Sequence, residues 1–134
     1  MILIRGLPGS GKSTVAYMFN ISGFHAHIET DMFWTLDGGY KWDASRLGEA
    51  HAWCLAETRK LLEKGIIPVV SNTFTTIKER KPYFDLAKEF GITPNVMLAQ
   101  GGFKNIHNVP EATLKRMRDR FQYDISELFE VKNE

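Results

Sequence analysis

The sequence contains few of the features that small proteins use for cross-linking or membrane insertion. It has one cysteine, Cys54, in 134 residues, which excludes an internal disulfide and a cysteine-rich metal site. Because its neighbours are apolar, we interpret Cys54 as a reduced core residue. No apolar run approaches the length of a membrane span, and residues 1–4 are too short for the core of a signal peptide. We therefore expect a cytoplasmic protein without a membrane partner.

An excess of one charge sign is also missing. The chain has 17 basic and 16 acidic residues, for a net charge of +1. Such a surface has no broad basic field for duplex nucleic acid, so contact with a nucleic acid would have to be local, as at a strand end. The apolar fraction of 43% and the charged fraction of 25% are ordinary for a globular protein. We predict a single domain over residues 1–134, and the sequence does not indicate an oligomeric state.

One motif stands near the start of the chain. Residues 6–13, Gly-Leu-Pro-Gly-Ser-Gly-Lys-Ser, follow a short apolar run and match the phosphate-binding P-loop, Gly-x-x-x-x-Gly-Lys-(Ser/Thr). Its glycines let successive backbone N–H groups point into one concavity that holds phosphate oxygens. Lys12 would reach the β- and γ-phosphates of ATP, and Ser13 would offer its hydroxyl to Mg²⁺ at a helix N-terminus. The predicted ATP-binding residues are Gly6, Pro8, Gly9, Ser10, Gly11, Lys12, Ser13 and Thr14.

The rest of the chain alternates short apolar runs with amphipathic stretches, which is typical of an α/β fold with a parallel sheet. We predict strands at residues 1–5, 24–29, 66–71 and 94–99. The paired part of the third strand is expected at residues 69–71, because Pro68 is tolerated only near the start of a strand. Helices are predicted at residues 12–20, 43–64 and 77–90 and from Pro110 onward. The apolar stripe of the last helix is Leu114, Met117, Phe121, Ile125 and Leu128. The expected fold is a three-layer P-loop NTPase with a short parallel sheet of about four strands and helices on both faces.

A carboxylate follows the second predicted strand. In an open parallel sheet, ligands bind in the crevice beyond the carboxyl ends of the strands, and Asp31 lies there. It could accept the proton of an attacking hydroxyl, as the catalytic Asp of kinases does. Alternatively, Asp31 or Thr30 caps the next short helix. Glu29, inside the predicted strand, is expected at a sheet edge or facing solvent.

Residues 33–42 are rich in aromatic side chains and glycine, which predicts a loop. Trp34 and Tyr40 could stack on a base or bind the sugar ring of an acceptor. The alternative is that these aromatic residues cover the end of the core. His51, in the following helix, either faces the site or has a structural role.

Two further positions bear on the metal and on the transferred phosphate. Asn72 follows the third strand, where P-loop enzymes commonly hold Mg²⁺ through an acidic residue, and an amide brings no negative charge. Arg118 falls within the buried arc of the last helix at about 100° per residue. Its guanidinium therefore either forms a packing ion pair or contacts the nucleotide.

In their order along the chain, these motifs resemble the kinase domain of phage and bacterial polynucleotide 5′-kinases, which phosphorylate 5′-hydroxyl ends of RNA or DNA. The chain is similar, even more closely, to small stand-alone AAA-type ATP-binding proteins of phages and mammals. A phage protein acting in the host cytoplasm is one implication. The shared landmarks extend over essentially the whole chain: residues 5–14, 30–31, 40–43, 48–53, 71–73 and 105–110.

The resemblance implies roles for single residues. Lys12 and Ser13 would serve the phosphates and Mg²⁺, and Asp31 would be the general base for the 5′-hydroxyl. Asn72 and Thr73 stand at the family's usual Asp-Thr, which helps to arrange the substrate side. Trp34 occupies a place where the phage kinases carry an Arg that grips the acceptor phosphate.

The lid of the family, which supplies transition-state arginines, is shortened here to residues 100–104 without any Arg. An arginine finger contributes roughly 10³ to 10⁵ in rate. Lys104 could replace it in part, as a point charge without a bidentate fork. Arg118 could do so from the following helix.

The sequence thus favours a kinase-like P-loop protein that transfers the γ-phosphoryl group of ATP to a hydroxyl, with Mg²⁺ as cofactor. By resemblance, the acceptor is a nucleic-acid 5′-hydroxyl, on a short or single-stranded end. One alternative is a small-molecule kinase that acts on a nucleoside or a similar alcohol. The other is a weakly active nucleotide-binding or partner-binding module.

Overall fold

The computed structural model describes residues 1–103 and 109–123. Its four strands are β1 (Ile2–Arg5), β2 (His25–Ile28), β3 (Ile67–Asn72) and β4 (Asn95–Leu98). They form one parallel sheet in the order β2-β3-β1-β4. The predicted α/β fold with a short parallel sheet is therefore confirmed.

The described residues form four α-helices: α1 (Lys12–Phe19), α2 (Leu47–Glu63), α3 (Ile77–Glu89) and α4 (Glu111–Arg120). Short 3₁₀ turns occur at Asn20–Ser22, Thr30–Thr35 and Ala44–Arg46. The side chain of Thr76 caps α3 by accepting a hydrogen bond from the Glu79 N–H. In the part of the chain that the structure describes, no helix is both long and apolar enough to cross a membrane.

Both faces of the central strands are buried. Leu3 packs with Cys54 of α2 and Leu86 of α3 on one face of the sheet. Ile4 packs with Ala16 of α1 on the opposite face. Successive side chains of a strand point to opposite faces, so a continuous apolar run is what a strand between two helix layers requires. The burial of Cys54 also confirms its prediction as a core residue.

The paired part of strand β3 is longer than predicted, because Ile67 and Pro68 also pair with β2. The Ile67 N–H donates to the Phe24 carbonyl at 2.8 Å, so the nitrogen of the next residue faces β1. The ladder between β1 and β3 begins with the pair Ile2 and Val69. Pro68 thus lies before the start of that ladder, and its missing N–H removes no bond from it.

Helix α4 is shorter than predicted. It ends at Arg120, and Phe121 has the extended backbone angles φ −66° and ψ 118°. None of the residues of α4, all of which are described, is buried. The predicted helix is therefore wrong at Phe121, although the Phe121 side chain is buried as predicted. Ile125 and Leu128 lie outside the described residues.

Tertiary contacts of Arg5 explain why α4 ends at Arg120. Arg5 is fully buried, and its guanidinium lies 4.2 Å from the ring centroid of Phe121. It donates to the Phe74 carbonyl at 2.8 and 3.0 Å and also to the Gln122 carbonyl. The Gln122 N–H donates in turn to the Thr75 carbonyl at 2.6 Å. Arg5 and Gln122 thus hold the chain after α4 against the loop after β3, in place of a further helical turn.

Candidate functional site

The P-loop connects β1 to α1 at the carboxyl edge of the sheet. Gly9 and Gly11 have φ values of 82° and 87°, in the left-handed region that strains residues with a side chain. A β-carbon on Gly6 would lie 2.3 Å from Ser10 Oγ and 2.7 Å from the Ala99 oxygen. The tight curl of this loop therefore depends on glycine at these positions, as the motif predicts.

The start of α1 is suited to an anion. Its cap residue is Gly11, no side chain caps the helix, and its first turn contains no acidic residue. The first N–H groups of a helix carry partial positive charge and need acceptors. Ser10 Oγ is buried and has no hydrogen-bond partner among the described residues. These donors fit the phosphate groups of a nucleotide.

Lys12, within the P-loop, interacts electrostatically with two carboxylates, those of Glu29 and Asp31. Burial lowers the pKa of its ammonium, and the negative charges of Glu29 and Asp31 act in the opposite direction. The structure thus brings together Lys12 at the start of α1 and the two acidic residues that follow β2. The Lys12 ammonium and the carboxylates of Glu29 and Asp31 thus lie together where the strands end. Phosphoryl transfer to a hydroxyl uses both a cation on the phosphates and a carboxylate for the hydroxyl proton.

Glu29 is a site residue that the sequence analysis missed. Its Oε2 accepts hydrogen bonds from Ser13 Oγ at 2.8 Å and from Ser71 Oγ at 2.9 Å. Its side chain is 18% exposed and lies 3.4 Å from His27 Nε2. β2 is the edge strand of the sheet, but the expected exposure of Glu29 to solvent is wrong, because β2 ends at Ile28 and Glu29 turns towards the P-loop. A predicted second strand that ended at Ile28 instead of Glu29 would have placed Glu29 at the carboxyl edge of the sheet, beside Asp31.

Its surroundings keep the Glu29 carboxyl group ionised. Burial raises the pKa of Glu29, but hydrogen bonds from His27 and Ser13, attraction to His27 and the bond from Ser71 together lower it to about 2. A carboxylate that accepts several hydrogen bonds commonly has such a low pKa. Glu29 therefore carries a full negative charge beside Ser13 at neutral pH.

Asp31 lies in the 3₁₀ turn Thr30–Thr35 directly after β2, at the predicted edge of the sheet. The cap residue of that turn is Glu29, and no side chain caps it, so the N-cap alternative for Asp31 or Thr30 is wrong. Burial raises the pKa of Tyr40, and so do the charge of Asp31 and a hydrogen bond to its carboxylate. Tyr40 is thus a neighbour of the Asp31 carboxylate.

Asn72 joins β3 to the turn that contains Asp31. Its Oδ1 accepts a hydrogen bond from the Thr30 N–H at 2.9 Å, and its Nδ2 lies 3.7 Å from Cys54 Sγ. These contacts turn the amide towards the β2 side of the site. Ser13 is hydrogen-bonded to Glu29 instead.

The remaining predicted substrate residues differ in position. The Thr73 carbonyl accepts a hydrogen bond from the Gly6 N–H at 3.3 Å, which places Thr73 beside the P-loop. His51 is exposed, and its Nδ1 lies 3.4 Å from Thr30 Oγ1. Trp34 is 3% exposed and packs edge-on against Phe33, so it covers the core and offers no free face for stacking. Its predicted role in acceptor binding is corrected accordingly.

The segment after β4 lies against the P-loop. The Gly101 N–H donates to the Ser10 carbonyl at 2.9 Å, and the Phe103 N–H donates to the Gly9 carbonyl at 2.8 Å. The ring of Phe103 is 70% exposed and lies over Gly11. Lys104 lies outside the described residues.

Arg118 is exposed on α4. It lines a groove together with Leu7 and Ser10 of the P-loop and with Gln100 and Gly101. No ion pair of Arg118 occurs among the described residues, so the packing-pair alternative has no support there. Its position beside the P-loop leaves the nucleotide-contact alternative open.

Known proteins are similar to this chain in sequence. NEDD4-binding protein 2 of Homo sapiens is 32% identical over 139 residues, which cover 94% of this chain and 8% of that protein. The bifunctional polynucleotide phosphatase/kinase of Schizosaccharomyces pombe is 25% identical over 135 residues, which cover 91% of this chain and 29% of that protein. The chain thus spans a small part of the length of these two relatives.

Solved structures show the same fold. A chain of the Pnkp1/Rnl/Hen1 RNA repair complex matches with a TM-score of 0.72 and 18% identity, over 96% of this chain and 45% of that chain. A gluconokinase from Sinorhizobium meliloti 1021 matches with a TM-score of 0.61 and 17% identity, over 95% of this chain and 77% of that chain. The fold is thus that of P-loop kinases. Because the AAA domain family model matches residues 1–123, which include the whole P-loop site described above, the chain belongs to the AAA domain family.

Proposed function

We propose that this protein transfers the γ-phosphoryl group of ATP to a hydroxyl group, and that the acceptor is the 5′-hydroxyl of a nucleic-acid end. The observation that carries the proposal is the place of Asp31 at the carboxyl edge of the sheet, within electrostatic reach of Lys12. Phosphoryl transfer to a hydroxyl needs a loop that positions the phosphates and a carboxylate that accepts the proton of the hydroxyl, and both are present here.

The reaction divides among the residues of the site as follows. The P-loop N–H groups and Lys12 hold the phosphates in place, and Asp31 accepts the proton of the attacking hydroxyl. A bond forms between the acceptor oxygen and the γ-phosphorus while the bond from that phosphorus to the bridging oxygen breaks, and ADP leaves. Mg²⁺, when bound at Ser13, would supply charge neutralisation on the β- and γ-phosphates.

Two residues could supply the cation that neutralises the negative charge developing on the transferred phosphoryl group. Arg118 lines the groove beside Leu7 and Ser10 of the P-loop. Lys104, outside the described residues, follows Phe103, whose N–H is bonded to Gly9. We assign this role to Arg118 or Lys104, because phosphoryl transfer depends on charge neutralisation more than on covalent help.

The acceptor class is supported by the neighbours of Asp31 and by one relative. Tyr40 and Trp42 are 52% and 58% exposed, and Tyr40 contacts Asp31. Exposed aromatic rings beside a reaction site can stack on the terminal bases of a single strand. A protein named bifunctional polynucleotide phosphatase/kinase is among the relatives.

A small hydroxyl acceptor is the second candidate, because a gluconokinase shares the fold over 95% of this chain. The two candidates differ in their response to salt. Binding of a polynucleotide releases counterions and should weaken as salt rises, whereas binding of a neutral nucleoside should change little. A module that binds nucleotide without transfer would phosphorylate neither acceptor.

The test is transfer of labelled γ-phosphate from ATP with Mg²⁺ to 5′-hydroxyl oligonucleotides of RNA and DNA, beside a panel of nucleosides. We expect label on an oligonucleotide with the wild type and a loss of at least about 10²-fold with Asp31→Asn, because general base catalysis contributes roughly 10² to 10⁴. Equal transfer by both proteins would remove the base assignment. Label on nucleosides alone, or on no acceptor, would overturn the proposed acceptor.

A further inference from the structure

Four side chains meet where β2 and β3 end beside the P-loop: Ser13, His27, Glu29 and Ser71. We call them the Glu29 cluster. The hydroxyl groups of Ser13 and Ser71 both donate to Glu29 Oε2, at 2.8 and 2.9 Å. His27 Nε2 lies 2.6 Å from Ser71 Oγ, and the His27 ring packs edge-on against Tyr17 at 5.0 Å between centroids. The carboxylate of Glu29 is thus held in one orientation by the side chains around it.

The bond from Ser13 has a consequence for metal binding. A serine hydroxyl that binds a cation through its oxygen must direct its proton to another acceptor. Glu29 Oε2 accepts that proton at 2.8 Å, so a lone pair of Ser13 Oγ is left for the metal. Outer acceptors of this kind orient the ligands that touch a metal and raise their basicity.

The residue at the expected place of the acid does not perform this task. Asn72 directs Oδ1 to the Thr30 N–H and Nδ2 to Cys54 Sγ. The described residues also contain no group of three or more His, Cys, Asp or Glu side chains that could hold a metal by themselves. A cation at Ser13 would therefore need ATP phosphates and water for its other ligands, as Mg²⁺ commonly does in nucleotide sites.

We propose that Glu29 is the acidic positioning residue of the metal site: it orients Ser13 and places a carboxylate beside the water shell of the Mg²⁺ that accompanies ATP. This inference rests on the ATP and Mg²⁺ part of the proposed function and is independent of the acceptor. The negative charge thus comes from the chain after β2 and reaches the P-loop across Ser71 of β3, the strand that lies between β2 and β1.

Binding of Mn²⁺, a paramagnetic substitute for Mg²⁺, tests the inference without any transfer reaction. Free Mn²⁺ is measured by electron paramagnetic resonance with the protein saturated with ATP, and binding of ATP is measured separately in EDTA. Glu29→Gln retains the size of the side chain and an oxygen acceptor but removes the charge. We expect Mn²⁺ affinity to fall about 10- to 100-fold, while metal-free ATP affinity is unchanged or higher because a negative charge near the phosphates is gone.

Two further variants complete the experiment. Glu57→Gln changes a glutamate of α2 that pairs with Lys60, and it should bind Mn²⁺ like the wild type. Glu29→Asp retains the charge and should keep more Mn²⁺ affinity than Glu29→Gln. Wild-type Mn²⁺ affinity in Glu29→Gln would overturn the inference. Loss of metal-free ATP binding in the same variant would also overturn it, since Glu29 would then be a purely structural residue.

These outcomes are separable from failure of the proposed function. Mn²⁺ binding that depends on Glu29, with no phosphate transfer to any acceptor, would overturn the proposed reaction and support the inference. Phosphate transfer by the wild type, together with wild-type Mn²⁺ affinity in Glu29→Gln, would support the proposed reaction and overturn the inference about Glu29.

Discussion

Single hydrogen bonds give Asn72 and Glu29 different positions in the site from those that the sequence predicts. Asn72 accepts the N–H of Thr30, the residue directly before Asp31, at 2.9 Å. Glu29 accepts the hydroxyl of Ser13 at 2.8 Å. An amide at the end of β3 therefore does not leave the proposed metal site without a charge, because the Glu29 carboxylate follows the neighbouring strand β2. Asn72 instead holds the turn that contains Asp31, the proposed general base.

We predict that Asn72→Ala slows phosphate transfer without weakening ATP binding. The Thr30 N–H, in a residue that is 8% exposed, would lose its acceptor, at a cost of about 1 to 3 kcal/mol, and Asp31 would lose its fixed position. The single-turnover rate should fall about tenfold or more. Asn72→Asp keeps the oxygen acceptor and should retain most of the rate. Equal losses in both variants would contradict a positioning role.

At the scale of elements, Arg5 joins three parts of the chain that are distant in sequence. Phe74 has φ 44°, a left-handed conformation that is rare for a bulky residue and costs roughly 1 kcal/mol or more. Its carbonyl accepts two hydrogen bonds from Arg5, and its ring is 3% exposed against Tyr83. The contacts of Arg5 and the burial of the ring thus stabilise a strained turn directly after Asn72 and Thr73.

Arg5→Lys should therefore destabilise the fold. Lysine keeps the charge but lacks the planar fork that reaches the carbonyls of Phe74 and Gln122, so a buried charge would lose part of its partners. We expect a loss of about 3 kcal/mol in the free energy of unfolding, measured by urea denaturation. Arg59→Lys changes an exposed arginine that pairs with Glu89, and it should cost less than about 1 kcal/mol. Similar effects of the two substitutions would contradict the anchoring role of Arg5.

At the scale of the whole molecule, the parallel sheet brings the functional segments to one edge. The order β2-β3-β1-β4 places Glu29 and Asp31, then Asn72, then the P-loop, and then residues 100–103 side by side. Ligand binding at such an edge involves segments from all four strands. Bound ATP should therefore stabilise the entire fold.

We predict that ATP with Mg²⁺ at about 100 times its dissociation constant stabilises the wild type by about 2.7 kcal/mol. In a thermal unfolding experiment this corresponds to a rise in Tm of roughly 8 °C for a chain of this size. Lys12→Ala should show no rise at the same concentration, since the phosphates lose their cation. Asp31→Asn should rise like the wild type. A rise in Lys12→Ala equal to that of the wild type would contradict ATP binding at the P-loop.

Much of this molecule follows from local sequence. The glycine spacing of the P-loop, the apolar run of β1 and the cap of α3 by Thr76 depend on backbone geometry and on neighbours within a few residues. The ATP site and the parallel sheet could therefore be predicted, and so could the place of Asp31 at the carboxyl edge.

The tertiary structure decided what depends on contacts between distant segments. Glu29 reaches Ser13 across Ser71, Trp34 turns into the core, and Arg5 together with Gln122 ends α4 at Arg120. No local pattern encodes these outcomes, because a glutamate after a strand or an arginine at its end is equally compatible with solvent. The sequence by itself determined where the P-loop lies, because its glycine spacing is local, and the packing of β2 against β3 decided which carboxylate lies beside Ser13.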